Sequence, residues 1–249
     1  MKNQPRKNAS VFFSSLLIFM LHLPFVFANT KPVTINKAIK VKDPVAATLS
    51  KIEHNNVYAE LHLNDLGLSE EAFMYALKGY EYLKERGRIE NEDIITIIDF
   101  TKPSTQKRLF VIDLKHCNVL FNTYVAHGQG SGEVFANKFS NIPESYQSSL
   151  GFYVTADTYT GKNGYSMRLV GLETGINDKA DERAIVMHGA PYVSESYIRS
   201  QGHIGRSWGC PAVPEKLCKP IIGKIKNGSC LFVFGKNKKY AQRSRILNS

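Results

Sequence analysis

Hydrophobic residues along this chain follow two different periods, and the switch between them divides it. Phe73, Leu77, Tyr80 and Leu83 recur three or four residues apart, which stripes one face of a helix. Ser69 stands where an N-cap belongs, Glu70 and Glu71 suit the positive end of the helix dipole, and Gly87 supplies a stop. The spacing predicts a helix between Ser69 and Gly87 whose apolar stripe packs on a core. From Glu92 onward, short β-branched and aromatic runs take over: 94–100 (IITIIDF), 109–114 (LFVIDL), 119–125 (VLFNTYV), 151–155 (GFYVT), 184–188 (AIVMH) and 229–234 (SCLFVF). Gly, Asn, Ser or Pro separates them. Six short strands without regular helices between them predict a mainly β domain with mostly antiparallel pairing. Two short helices are expected to interrupt it, near 194–200 and 214–224. No internal repeat or low-complexity tract is present.

Ahead of these elements the pattern is different again. Lys2, Arg6 and Lys7 precede an almost wholly apolar run over 11–27, and Val26-Phe27-Ala28 follows. Basic start, apolar stretch and small closing residue together predict a secretory signal peptide cleaved near Ala28. A retained anchor is the rival, but His22 and Pro24 shorten the run below the ~20 residues of a span. The expected organisation is therefore a signal peptide at 1–28, then a linker and N-terminal helical segment at 29–90. A β-rich domain at 91–235 and a basic tail at 236–249 complete it.

Charge and cysteine content sharpen this picture. The net charge is +10 over 249 residues, and the three signal-segment charges are lost on cleavage. Lys236, Lys238, Lys239, Arg243 and Arg245 crowd the end, read as a solvated tail. For an exported basic protein, an anionic envelope polymer is the expected partner and nucleic acid is not. Membrane contact is expected only through the signal segment. Cys117, Cys210, Cys218 and Cys230 all lie in the mature chain, where an even count suggests disulfides. If Cys210 stays a thiol, at most one bridge can form among the others.

Cys210 occupies a cramped turn, GRSWGCPAVP over 205–214, just after the chain's one tryptophan. A cysteine that cleaves an amide needs a base for its proton and donors for the oxyanion. Gly209 leaves the backbone N–H groups beside Cys210 unshielded, Ser207 lies close enough to hydrogen-bond within the turn, and His188 ends the strand AIVMH. The alternatives are a buried small hydrophobe or a disulfide with Cys218 for Cys210, and a satisfied strand-end histidine for His188. Zinc ligation by His127, His188, His203 and Cys210 lacks the spacing of a metal motif. The glycine-rich 127–132 (HGQGSG) lacks the Lys-Ser/Thr of a phosphate cradle and reads as a tight connection at the rim of a groove.

In combination, HGAPYVSESYI followed by GRSWGCPAVP resembles the murein L,D-transpeptidase catalytic domain family, in the branch where tryptophan replaces the second histidine of the signature. VAHGQGSG, KFSNIPESYQSSLGFYVT, YTGKNGYSMRL and IIDFTKPSTQKRLFVIDL resemble the same branch, so the likeness covers roughly 65–235. The resemblance implies an L,D-transpeptidase-like β-rich fold. It makes Cys210 the nucleophile and His188 its base, with the Gly189 carbonyl orienting the imidazole. Backbone N–H groups of Trp208, Gly209 and Cys210 become the oxyanion hole, and Ser207 supports the loop. Trp208, Arg206, His203, His127 and Tyr192 are the expected substrate contacts, with His203 also a rival base. The implied substrate is a peptidoglycan tetrapeptide stem, with D-alanine released and a stem or envelope-protein amine as acceptor. No cofactor is required, and carbapenems are the implied inhibitors. Ala212 stands where many members carry an arginine, which leaves Arg206, Arg199 or Arg168 to meet a substrate carboxylate. An L,D-carboxypeptidase using water, a papain-like cysteine amidase and a non-catalytic wall-binding module remain the alternatives. In the papain-like class the cysteine precedes the histidine.

Overall fold

The computed structural model describes residues 56–249; the expected signal peptide and most of the linker lie outside the described residues. Its centre is one eight-stranded mixed sheet. The strands are β1 (Asn91–Asp99), β2 (Leu109–Asp113), β3 (Asn118–Thr123), β4 (Gly151–Gly161), β5 (Gly164–Gly171), β6 (Val186–Ala190), β7 (Ala212–Pro214) and β8 (Ser229–Phe234), ordered β3-β2-β1-β8-β4-β5-β6-β7. Five of the seven pairings are antiparallel and two, β1 with β8 and β6 with β7, are parallel. The mainly β expectation holds, with both parallel pairs linking strands far apart in sequence or separated by a helix.

Burial explains which runs became central. All six residues of β8 and the last six of β1 are buried, so these strands are covered on both faces, as a central parallel pair must be. Helix α1 (Glu70–Glu85) starts at Ser69, whose Oγ accepts from the Ala72 amide at 3.3 Å. It buries Phe73, Leu77, Tyr80 and Leu83 against β1 and β8, the stripe expected of it. Phe152 of β4 stacks on Phe232 of β8 with ring centroids 4.3 Å apart, inside the same core. Short helices α2 (Glu195–Gln201) and α3 (Glu215–Ile225) fall where two were expected, and α3 packs on β6.

The chain end departs from expectation. Instead of a solvated tail, residues 238–243 form α4 (Lys238–Arg243), and Tyr240, Ile246 and Leu247 are buried. The Tyr240 hydroxyl donates to Glu173 Oε2 at 3.1 Å, and Ser244 Oγ donates to Glu173 Oε1. Three apolar side chains among the charges are enough to dock the segment, because the charges face the other way. No helix among the described residues is long and apolar enough to cross a membrane.

Candidate active site

The sheet register brings the candidate pair together. His188 sits in β6, opposite Ser166 of β5 on one side and Ala212 of β7 on the other. Because β7 runs parallel to β6, Cys210, two residues before Ala212, falls level with Val186. The Val186 amide accordingly points at Cys210 Sγ (3.5 Å), and Sγ lies 3.6 Å from the Ala184 carbonyl. Two residues of rise and one strand spacing separate Cys210 and His188, so their Cα atoms are about 8 Å apart. That separation lets an imidazole and a thiol meet, although no hydrogen bond joins them in this structure among the described residues. His188 Nδ1 donates to the Gly189 carbonyl at 3.0 Å, which leaves Nε2 as the free acceptor nitrogen. Burial lowers the pKa of His188 and that hydrogen bond opposes the shift only in part. The imidazole is a neutral base at neutral pH.

Burial also raises the Cys210 thiol pKa, against the Val186 amide and the charge of Arg183, both of which lower it. The resting group is a thiol, so a base must take its proton as it reacts. All four cysteines are free, and Cys218, the alternative disulfide partner, instead donates to the Tyr165 carbonyl at 3.4 Å.

The turn that carries Cys210 is braced by its own side chains. Ser207 Oγ accepts from the Gly209 amide at 3.1 Å and donates to the Cys210 carbonyl at 2.6 Å. Gly209 has φ +124°, a backbone that L side chains rarely adopt, and a Cβ there would stand 2.8 Å from the Gln147 carbonyl oxygen. The Gly209 amide, one of the expected oxyanion donors, is engaged by Ser207 Oγ in this structure, and the glycine also serves the turn. A second segment runs alongside, with the Ser207 amide donating to the His127 carbonyl (3.0 Å) and the Gln129 amide to the Ser207 carbonyl (2.7 Å).

His127 was expected among the substrate contacts, but its side chain is fully buried. Arg108 Nη2 donates to its Nδ1 at 2.7 Å, and its Nε2 donates to the Gly132 carbonyl at 3.1 Å. Burial, then the adjacent guanidinium, lowers its pKa to about 3. Arg108 is itself buried, its pKa lowered to about 9 by desolvation. It is held by the Val125 and Lys102 carbonyls and lies 4.8 Å over the Phe100 ring. Neither residue's pairing was visible from sequence, since they lie 19 positions apart and meet only through the β2 and post-β3 backbone.

The other expected contacts are dispersed around the loop. His203 Nδ1 donates to the Ile204 carbonyl (2.6 Å) and Nε2 faces Glu133 (3.5 Å), so both nitrogens are engaged away from Cys210. The Tyr192 ring lies against Gly205, where a Cβ would stand 2.5 Å from its Cβ. Its hydroxyl is pushed up to about 12 by burial and then by the charge of Cys210. Arg206 is exposed, with Nη1 3.4 Å from the Gly132 carbonyl. Trp208 is 69% exposed and its ring centroid lies 5.6 Å from that of Tyr146. Arg168 is paired with Asp157 at 3.4 Å, and Arg199 lines an open groove of about 580 Å³ beside Pro191 and Pro214. Among the described residues no group of three or more His, Cys, Asp or Glu side chains could hold a metal ion.

Sequence reasoning missed Arg183. Its guanidinium donates to the Ser140 and Gln147 carbonyls and to Ser149 Oγ, immediately behind the turn that carries Cys210. The one available signal was its place as the last charge before the apolar run of β6.

Among solved structures, the chain is similar to the helical cell shape determining protein Pgp2 (K307A mutant) from Campylobacter jejuni, at 14% identity and a TM-score of 0.39, covering 65% of this chain and 57% of that one. It is similar to an L,D-transpeptidase from Mycobacterium smegmatis at 13% identity and a TM-score of 0.36, covering 57% and 59%. An LD-transpeptidase in complex with imipenem matches at 12% identity and a TM-score of 0.35, again covering 57% and 59%. The chain thus spans less than two thirds of each of these solved chains. No curated protein sequence matches it. A family model described as L,D-transpeptidase catalytic domain matches residues 64–234, well over half of the chain. This chain belongs to the L,D-transpeptidase catalytic domain family.

Proposed function

We propose that this protein is an exported murein L,D-transpeptidase with Cys210 as nucleophile and His188 as base. The observation that supports the reading is the β6–β7 register, which pairs His188 with Ala212, two residues after Cys210, while the Gly189 carbonyl accepts from Nδ1–H and leaves Nε2 free. His188 Nε2 takes the thiol proton as Sγ attacks the carbonyl of the third stem residue. The proton then passes to the departing D-alanine amine, and a thioester remains on Cys210. An acceptor amine attacks that thioester, loses its proton through His188, and restores the thiol as the new amide forms. The mature chain begins near Asn29, with cell-wall peptidoglycan as its site of action.

The test is mass spectrometry of the protein after exposure to a tetrapeptide stem and, separately, to imipenem. One adduct is expected, located on Cys210 and absent from Cys210→Ser. His188→Ala is expected to slow its formation by roughly 10²–10⁴-fold at neutral pH, and His203→Ala only modestly. With stem and acceptor supplied together, a cross-linked product supports transfer, and release of the tripeptide alone supports a carboxypeptidase. An adduct on Cys117 or Cys218, or full reactivity in His188→Ala, would overturn the assignment.

A further inference from the structure

Arg183 is a half-buried cation with no carboxylate partner among the described residues. Nη1 donates to the Ser140 carbonyl at 2.8 Å and to Ser149 Oγ at 2.5 Å; Nη2 donates to the Gln147 carbonyl at 2.5 Å and lies 3.4 Å from Ser145 Oγ. Every one of these acceptors is neutral. Its neighbour Glu182 is engaged instead by Lys179, at 3.6 Å. Four hydrogen bonds fix where the charge stands, and none of them neutralises it. A cation taken partly out of water without a counter-charge is a cost to the fold unless an anion appears there during function.

The group in its surroundings that would become an anion on reacting is the Cys210 thiol. Arg183 Nη2 lies 3.3 Å from where a Cβ on Gly209 would stand, so the guanidinium packs against the backbone immediately before Cys210. Cys210 Sγ in turn rests on the Val186 amide and the Ala184 carbonyl, three and one residues beyond Arg183. We propose that Arg183 is a positioning residue that serves as the fixed counter-charge of the Cys210 thiolate, held in place by the 140–149 loop. The proposal rests on Cys210 being the nucleophile and adds the source of its reactivity.

The groups facing Cys210 are few. His188 lies on the neighbouring strand and Tyr192 across the turn, its hydroxyl uncharged at neutral pH. Tyr153, beside Arg183, is fully buried with its pKa raised by desolvation and is likewise neutral. Arg183 is the permanent charge in this set. Losing it leaves the Val186 amide and the imidazole to stabilise a thiolate that burial disfavours.

The experiment measures alkylation of the full chain by iodoacetamide against pH, resolved to the Cys210 peptide by mass spectrometry. Two neutral variants, Arg183→Gln and Arg183→Met, are read together so that one folded variant suffices. Either is expected to raise the midpoint of Cys210 alkylation by about one pH unit, roughly tenfold slower reaction at neutral pH. Arg183→Lys retains the charge and is expected to stay within about a third of a unit of wild type. Ser149→Ala, which loosens the clamp without removing charge, should leave the midpoint in place. An unchanged midpoint in the neutral variants overturns the proposal, and so does an equal shift in Arg183→Lys or Ser149→Ala, which would mark a purely structural clamp. Alkylation requires no murein substrate. A normal Arg183-dependent midpoint in a protein that never acylates would refute the proposed function and leave this inference standing.

Discussion

His127 gives the sharpest quantitative test of the buried scaffold behind the turn that carries Cys210. Its Nδ1 accepts from Arg108 at 2.7 Å and its Nε2–H is spent on Gly132. A proton added at Nδ1 would face a guanidinium with no water between them. The folded pKa is about 3, against 6.5 for the free side chain. The unfolded chain therefore binds this proton more readily than the folded one. The stabilisation is fully present above pH 6.5 and is lost as the pH falls from there toward 3. Between pH 7 and pH 4.5 the loss assigned to this one histidine is about 2.5 kcal/mol, from a linkage of about 1.4 kcal/mol per unit. The perturbation is His127→Gln, whose amide can accept from Arg108 and donate to Gly132 without titrating. Urea denaturation of both proteins at pH 7, 5.5 and 4.5 gives each stability curve. His188, which also loses stability on acidification, and Glu173, whose raised pKa acts in the opposite sense, are present in both proteins and cancel in the difference. The wild-type curve is expected to fall about 2.5 kcal/mol further than that of His127→Gln. Parallel curves would refute the buried Arg108–His127 contact.

Two further outcomes follow from the same structure. Ser207→Ala removes the two hydrogen bonds that close the Cys210 turn and is expected to lower stability by about 1–3 kcal/mol and slow carbapenem acylation; wild-type values in both measurements would refute the brace. Tyr240→Ala deletes a buried ring that also bonds to Glu173 and should cost about 3–5 kcal/mol in chemical denaturation, whereas an unchanged midpoint would mean that the chain end is not docked.

What could be read from the sequence depended on how local each signal was. Helix α1 was legible because its cap, first-turn acids and apolar stripe all lie within one segment. β8 was legible because six buried residues in a row leave no polar interruption. β5 was missed, since Ser166, Arg168 and the glycines at its ends mask a strand whose buried positions are scattered. β7 is only three residues and ends in proline. The parallel pairing of β1 with β8 joins segments more than 130 positions apart, and no local pattern encodes it. In the site, Cys210 and His188 stood out by motif and spacing. Arg183 did not, because in DERAIVMH it looks like the end of a solvated charge run. Only the folded 140–149 loop reveals that its hydrogen bonds are all to neutral oxygens. His127 was misjudged for the complementary reason: a histidine in a glycine-rich stretch looks accessible until Arg108 is seen beneath it.

The position of β8 has a consequence for how the chain acquires its fold. Translation proceeds from β1 to β7 before β8 is made, yet β8 is the strand that separates β1 from β4 in the sheet. Until Ser229–Phe234 emerges, the β1–β3 meander and the β4–β7 segment carrying His188 and Cys210 have no shared strand between them. Each has an open apolar edge where β8 belongs. The last strand to be synthesised closes both edges at once, so a nascent chain cannot complete its sheet step by step from the N-terminus. Assembly is delayed until Phe234 has been made, and long-range pairing of this kind folds slowly.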